Sequence, residues 1–354
     1  MNHTAYSGAG MLRAVSPRVP QPTQISPGVM TTHRVAVQSL LSAAERDTLD
    51  HLARASRDLS ALGAALHDAF QLELSCDSDI VAGYAHDSSN MPGRADAVCR
   101  PRTPREAAII ARACFVRGIP FTIAGGRSNL TGSATPDGGV IISLEHFVTP
   151  APRVDEAARR VYAPAGMILE HLRDEVVRQT SGRLFFPVNP TSRIDAQLGG
   201  ALACNASGFT PGAPGAMRHW VEALDVILPD GSALTVPRGA YVSRDGMFVF
   251  CGAAGETALP VPRYPRPAVK NASGPFSAPD GVLDLADFFI GSEGIYGIIT
   301  AATLRLAPSP AAYLDLFFSL PSEAHAMLVR DHLAATLPGG VSVLAALEYF
   351  GPHC

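Results

Sequence analysis

The sequence predicts an α+β fold: two α/β subdomains followed by the opening of a further unit. Three observations predict it. Between Ala97 and Leu144 a strand, a helix, a strand, a glycine-rich loop and another strand follow in close succession. Glycine-rich segments recur further along, at 186–208 and 290–300, each beside apolar runs of strand length. After Pro308 and Pro310 the pattern restarts with a fresh strand and helix.

Length and composition set the frame. A chain of 354 residues is too long for one small core, and 47% hydrophobic residues supply enough apolar surface for a large one. A net charge of -4 does not point to a nucleic-acid surface. No apolar run approaches the roughly 20 residues that span a bilayer. Met1 to Met30 is rich in Pro, Ser, Gly and Thr and lacks the apolar centre of a secretory signal. Residues 1–35 therefore read as a disordered tail, with an organelle transit peptide as the other reading, given Arg13, Arg18 and Arg34. The six cysteines form no C-x-x-C pair and no metal-ligand spacing, which fits reduced thiols in the cytoplasm and no metal site.

Residues 36–70 carry Leu40, Leu41, Leu49, Leu52, Leu59, Leu62 and Leu66 at helical spacing, with Ser42 and Glu45 as a capping box. Asp87 to Gly93 is a loop and Ala97 to Arg100 a strand. Thr103 as N-cap, Pro104 in the first turn and Glu106 open a helix that Gly118 stops. Ile119 to Ala124 is the strand before the first glycine-rich loop, Ala124-Gly-Gly-Arg-Ser-Asn-Leu-Thr-Gly132. There Gly125, Gly126 and Gly132 permit tight turns, and successive backbone N–H groups, with Ser128, Asn129 and Thr131, suit an anion such as a phosphate or pyrophosphate. Gly139 to Leu144 and Arg160 to Ala163 are strands. Met167 to Gln179 is a helix that Gly182 ends.

Phe186-Pro-Val-Asn-Pro-Thr-Ser192 reads as a proline-pinned loop. Gly199-Gly-Ala-Leu-Ala-Cys-Asn-Ala-Ser-Gly208 reads as a short helix ending in a polar turn. Val221 to Leu228, the turn Pro229-Asp-Gly231 and Ala233 to Val236 form a hairpin. Residues 237–282 look like loop and contain the polar cluster Lys270 to Gly274. Phe288 to Ile299 is apolar apart from Ser292, Glu293 and three glycines, and a carboxylate there needs partners if buried. Thr300 to Leu306 and Tyr313 to Ser319 are strands, and Glu323 to Ala335 is a helix. Residues 309–354 are too few to hold a core alone.

Four separated segments in fixed order resemble a family: Ala124–Gly132, Phe186–Ser192, Gly199–Gly208, and Ile290-Gly-Ser-Glu-Gly-Ile-Tyr-Gly-Ile-Ile-Thr300. They look like the flavoproteins of the vanillyl-alcohol oxidase superfamily, in the branch of the glycolate oxidase flavoprotein subunit, D-lactate dehydrogenase and D-2-hydroxyglutarate dehydrogenase. The resemblance runs from about Asp87 to Pro308. It implies a PCMH-type FAD-binding domain of two subdomains, 87–150 and 151–308. A helical segment at 36–86 precedes it, and 309–354 starts an incomplete α+β substrate (cap) domain.

By this resemblance Gly125, Gly126, Arg127, Ser128 and Asn129 hold the pyrophosphate, with Gly132 in the same turn. Pro187 and Ser192 line the adenine side. Gly199, Gly200, Asn205 and Ser207 lie along the ribityl chain and isoalloxazine, and Glu293, Gly294 and Ile298 meet the ribose and adenine end. Members with covalent flavin often carry a histidine in the first loop. Arg127 and Ser128 stand there, so the expected cofactor is non-covalent FAD. Lys270 and Ser273 match substrate-facing positions, while Val269 replaces a basic residue.

The expected reaction is oxidation of a small 2-hydroxy acid of the D-lactate, glycolate or D-2-hydroxyglutarate type. The electron acceptor would be a quinone, an electron-transfer protein or oxygen. The other reading is a flavin-binding protein without turnover. His146, His171 and His219 read as structural or solvent-facing and Trp220 as a core anchor, so no catalytic base is named. No G-x-G-x-x-G between strand and helix supports a nicotinamide-binding site.

Overall fold

A computed structural model describes residues 31–211, 215–252, 255–261 and 281–351. Lys270 and Ser273 lie outside the described residues. The described residues open with strands β1 (Arg34–Ala36) and β2 (Gln38–Ser39), which fall at the end of the stretch 1–35 read as a tail; residues 1–30 of that stretch lie outside the described residues. Val35 of β1 is fully buried. Helices α1 (Ala43–Ala55) and α2 (Leu59–Phe70) follow, then β3 (Leu74–Ser75), α3 (Ser78–Ala82) and β4 (Ala97–Cys99). Helix α4 (Pro104–Arg117), β5 (Phe121–Ala124) and β6 (Val140–Ser143) complete the first unit.

Local chemistry explains these boundaries. Ser42 N–H donates to Glu45 Oε2 at 2.8 Å and Glu45 N–H donates to Ser42 Oγ at 3.2 Å, closing the predicted capping box on α1. Thr103 Oγ1 accepts from Glu106 N–H at 3.2 Å and Gly118 ends α4 in the left-handed region. Strands β4, β6 and β5 pair in parallel and β3 joins antiparallel at the edge, in the order β3-β4-β6-β5. Helices α1, α2 and α4 cover this sheet through Leu49, Leu62, Leu66, Ile109 and Ile110, all fully buried.

The second unit holds β7 (Arg153–Asp155), β8 (Arg160–Pro164), α5 (Leu169–Gln179), β9 (Leu184–Phe185) and α6 (Leu198–Ala203). After a 3-10 turn at Met217–Trp220 come β10 (Val221–Ile227), β11 (Ser232–Pro237), β12 (Met247–Gly252) and β13 (Gly255–Pro260). Helix α7 (Leu285–Phe289), β14 (Ile298–Arg305) and β15 (Ala307–Pro308) close it. Six strands form an antiparallel sheet in the order β2-β11-β10-β14-β8-β7. Its core gathers Leu169, Phe186, Leu198, Leu224, Phe289 and Leu304, with Trp220 anchored in it as expected. Arg218 and Arg238 reach Asp287 at 3.1 Å each, pinning the 3-10 turn and the end of β11 to α7.

Two expectations are corrected. Residues 237–282 are not all loop: β12 and β13 form a hairpin, and β1 pairs with β12 in parallel. The signal was the apolar run Met247 to Cys251 after the Asp245-Gly246 turn. Conversely, Tyr313 to Ser319 forms no strand. Its backbone meets no sheet edge, and Leu314, Leu316 and Phe317 are 78%, 73% and 90% exposed. Helix α8 (Glu323–Thr336) forms where the spacing put it and buries no residue.

Candidate functional site

All four glycine-rich segments converge on one cleft between the two sheets. Its cavity volume is about 180 Å³, and it is partly open to solvent. The first loop leaves β5 at Ala124 and turns at Gly125 and Gly126. A Cβ on Gly126 would stand 2.0 Å from Asp195 O, so only glycine lets the first loop pass the second. Among the described residues, the N–H groups of Gly126, Arg127, Ser128 and Asn129 donate to no protein acceptor, which leaves a row of donors for an anion.

Neighbouring contacts hold that row in place. Asn129 Oδ1 accepts from Thr131 N–H and Ser133 N–H, both at 3.1 Å. Asp87 accepts from Ser89 N–H at 2.9 Å and Ala134 N–H at 3.2 Å. Burial pushes the Asp87 carboxyl up, but hydrogen bonds from Ser89, Asn129 and Ala134 outweigh it and keep the group below the usual range. Arg127 has a positive φ of 53°. Its guanidinium turns away from the donor row: Nη1 donates to Gly83 O at 2.8 Å, and the group lies 4.7 Å over the Tyr84 ring.

The second segment is fixed by Arg173, whose Nη1 donates to Phe186 O at 2.7 Å and Val188 O at 2.9 Å. It delivers Ser192 and Ala196 to the cleft wall. The third segment is α6. Gly199 N–H donates to Ala165 O at 2.8 Å, and Gly200 faces open space, with nothing within 4 Å of where its Cβ would be. The fourth segment hangs on the end of α6: Gly291 N–H donates to Leu202 O and Glu293 N–H to Ala203 O. Glu293 is exposed rather than buried, and Ile290 and Ile298 pass into the cores on either side.

The cleft wall thus brings together Gly125, Gly126, Arg127, Ser128, Asn129, Ser192, Gly199, Gly200, Glu293 and Gly294. Five expected residues stand apart from it. Gly132 sits in its turn against Met91. Pro187 is half-buried outside the lining, and Ser207 bridges to Ala216. Asn205 is buried and its Oδ1 accepts from Arg218 N–H at 3.0 Å. Ile298 is fully buried in the first core, because alternation along β14 turns Ile299 to the cleft instead.

The wall also contains residues that sequence reasoning passed over. Gln197 precedes the Gly199-Gly200 pair, and its Oε1 is buried without a partner. Cys204 ends α6 with Sγ 3.9 Å from Ser133 Oγ, and burial pushes its thiol up, so it stays protonated. The available signal was position: Cys204 lies inside the third motif and Gln197 two residues before it. Among the described residues no histidine stands in the lining, and Leu130 and Ile295 are exposed next to the lining residues Asn129 and Gly294. No helix among the described residues is long and apolar enough to cross a membrane.

This geometry fits a dinucleotide. It has anion donors at one loop, glycines that leave room for a ligand, and unpaired polar groups in the wall. Residues 95–237 match a family described as FAD binding domain. D-2-hydroxyglutarate dehydrogenase from Bos taurus is 24% identical over 262 residues, covering 74% of this chain and 40% of that protein. A probable D-lactate dehydrogenase from Danio rerio is 31% identical, covering 72% of this chain and 43% of that protein. Glycolate oxidase subunit GlcD from Bacillus subtilis is 27% identical, covering 75% and 48%. The chain spans about half the length, or less, of these relatives. A solved structure of alkyldihydroxyacetonephosphate synthase aligns with a TM-score of 0.47 at 17% identity, over 68% of this chain and 38% of that one.

Proposed function

We propose, from the premise that this chain carries an FAD-binding domain of the kind its motifs resemble, that it serves oxidation of a small 2-hydroxy acid. The observation that carries this reading is that the donor row of Gly126 to Asn129 and the open space at Gly200 line one cleft. Bound FAD would supply the hydride acceptor for the substrate α-carbon.

The chain's own residues bind and orient. The backbone of Gly126, Arg127, Ser128 and Asn129 takes the diphosphate, and Arg127 contributes through its main chain because its guanidinium is spent on Gly83 and Tyr84. Gly199 and Gly200 let the cofactor lie close to α6. Glu293 accepts from ribose hydroxyls at the exposed end. The FAD is held non-covalently, a reading supported by the lack of histidine in the lining and by the protonated state of Cys204. Lys270 steers the substrate carboxylate as a point charge and Ser273 adds a hydroxyl, on the strength of the motif match alone. A quinone, an electron-transfer protein or oxygen takes the electrons onward. A cytoplasmic setting belongs to this reading, in line with cysteines that form no C-x-x-C pair in the sequence.

Purified protein should be yellow, release flavin on denaturation, and lose its yellow colour anaerobically with one of a panel of D-2-hydroxy acids. A colourless protein that takes up no FAD would sink the reading. A second reading is FAD binding without turnover by this chain. It rests on the titratable groups of the lining: Arg127, Cys204 and Glu293 offer no buried base. Bound FAD that no hydroxy acid reduces would favour it.

A further inference from the structure

We infer that Gln197 is a cofactor-positioning residue, its carboxamide bonding a polar group of bound FAD other than the diphosphate. The inference rests on the FAD reading of the cleft but not on the hydroxy-acid reaction. Gln197 lines the cleft and is 9% exposed. Its main-chain oxygen is already used, accepting from Ala201 N–H at 2.9 Å. Its side-chain oxygen is not: Oε1 is buried without a partner. Buried amides are nearly always hydrogen-bonded, so an unmatched one in a ligand cleft marks a place where something else supplies the bond.

The position narrows what that group is. A Cβ on Gly125 would stand 3.3 Å from Gln197 Oε1, so the carboxamide lies against the start of the first loop, at the Gly125 end of the donor row. Phosphate oxygens are matched by the N–H groups of Gly126 to Asn129 and only accept. A carboxamide both donates and accepts, so it complements a hydroxyl or a ring amide, groups that FAD carries on either side of its diphosphate.

Gln197→Met keeps the side-chain length and removes both hydrogen-bonding atoms. FAD titration into apoprotein, followed by flavin fluorescence, should show affinity weakened about tenfold. The melting temperature of the apoprotein should hold or rise, because an unpaired buried group has gone. A merely structural role would lower the melting temperature together with the affinity, and that result would overturn the inference. So would FAD affinity within about twofold of the parent chain. Parallel titrations with ADP and with riboflavin assign the contact: the fragment whose binding weakens carries the partner group. Failure of the parent chain itself to bind FAD would overturn the cofactor reading, and this inference with it, whereas unchanged affinity in the variant removes only this one.

Discussion

Gly126 and Gly200 both line the cleft, yet a side chain would meet opposite surroundings at the two. At Gly126 a Cβ would lie 2.0 Å from Asp195 O, and backbone would have to move. At Gly200, inside α6, nothing stands within 4 Å. Gly200→Ala should therefore hold or raise apoprotein stability by about 0.5–1 kcal/mol, while its methyl group occupies ligand space and weakens FAD binding. Gly126→Ala should cost about 1–3 kcal/mol through displacement of the 192–196 loop and weaken FAD binding as well. Thermal melts of the apoproteins with parallel FAD titrations separate the two outcomes. Both glycines were legible in the sequence as members of a motif, but their different reasons were not. One depends on a carbonyl some seventy residues away in the chain, the other on empty space. Arg127 makes the same point, since the position of its guanidinium is set by Tyr84 and Gly83, which no local pattern links to it.

Elements with local signals formed where the sequence placed them. Helices α1 and α4 carry their caps in consecutive residues, and the β10–β11 hairpin carries its turn. Elements that depend on distant partners did not read as well. Strand β12 needed β1 on one side and β13 on the other to be recognisable, and Tyr313 to Ser319 has strand composition without an edge to pair with. The α1 cap yields a pH test. The Ser42 N–H, the Ser42 hydroxyl and Arg105 together lower the Glu45 carboxyl from 4.5 to about 2. A carboxyl depressed in the folded state contributes stability above about 4.5 that is lost as pH falls towards about 2. Glu45→Gln should flatten the decline in melting temperature over that interval relative to the parent chain. Equal slopes would show that the cap carries no charge dependence.

At the scale of the molecule, residues 311–351 contribute little to the body. Helix α8 buries nothing, and links from this stretch to the turn after α6 include Leu347 N–H to Phe209 O at 3.2 Å and Thr210 Oγ1 to Ala345 O at 2.9 Å. A chain ending at Pro310 should keep the melting temperature and FAD affinity of the longer one and bind less of a hydrophobic dye, as it loses the exposed Leu314, Leu316 and Phe317. A large fall in melting temperature would mean that the stretch braces the body more than its contacts indicate.

The cleft lies between two hydrophobic cores and draws wall residues from each, Leu144 from one and Ala201 and Ile299 from the other. One core clamps α4 against the parallel sheet, and the other fills the antiparallel sheet. A dinucleotide lying across both would act as a tie-rod, adding to the joints that the two bodies already share, such as Ile227 and Ile298 packed in the first core and Arg112 with Asp230 O. Thermal cooperativity then depends on occupancy. Calorimetry should resolve a broadened or stepped heat-absorption peak without FAD, and one sharp peak with it. At a hundredfold excess over Kd, the ligand should add about 2.7 kcal/mol to the state in which both bodies are intact. Identical peak shapes with and without the ligand would mean that the two bodies already melt as one.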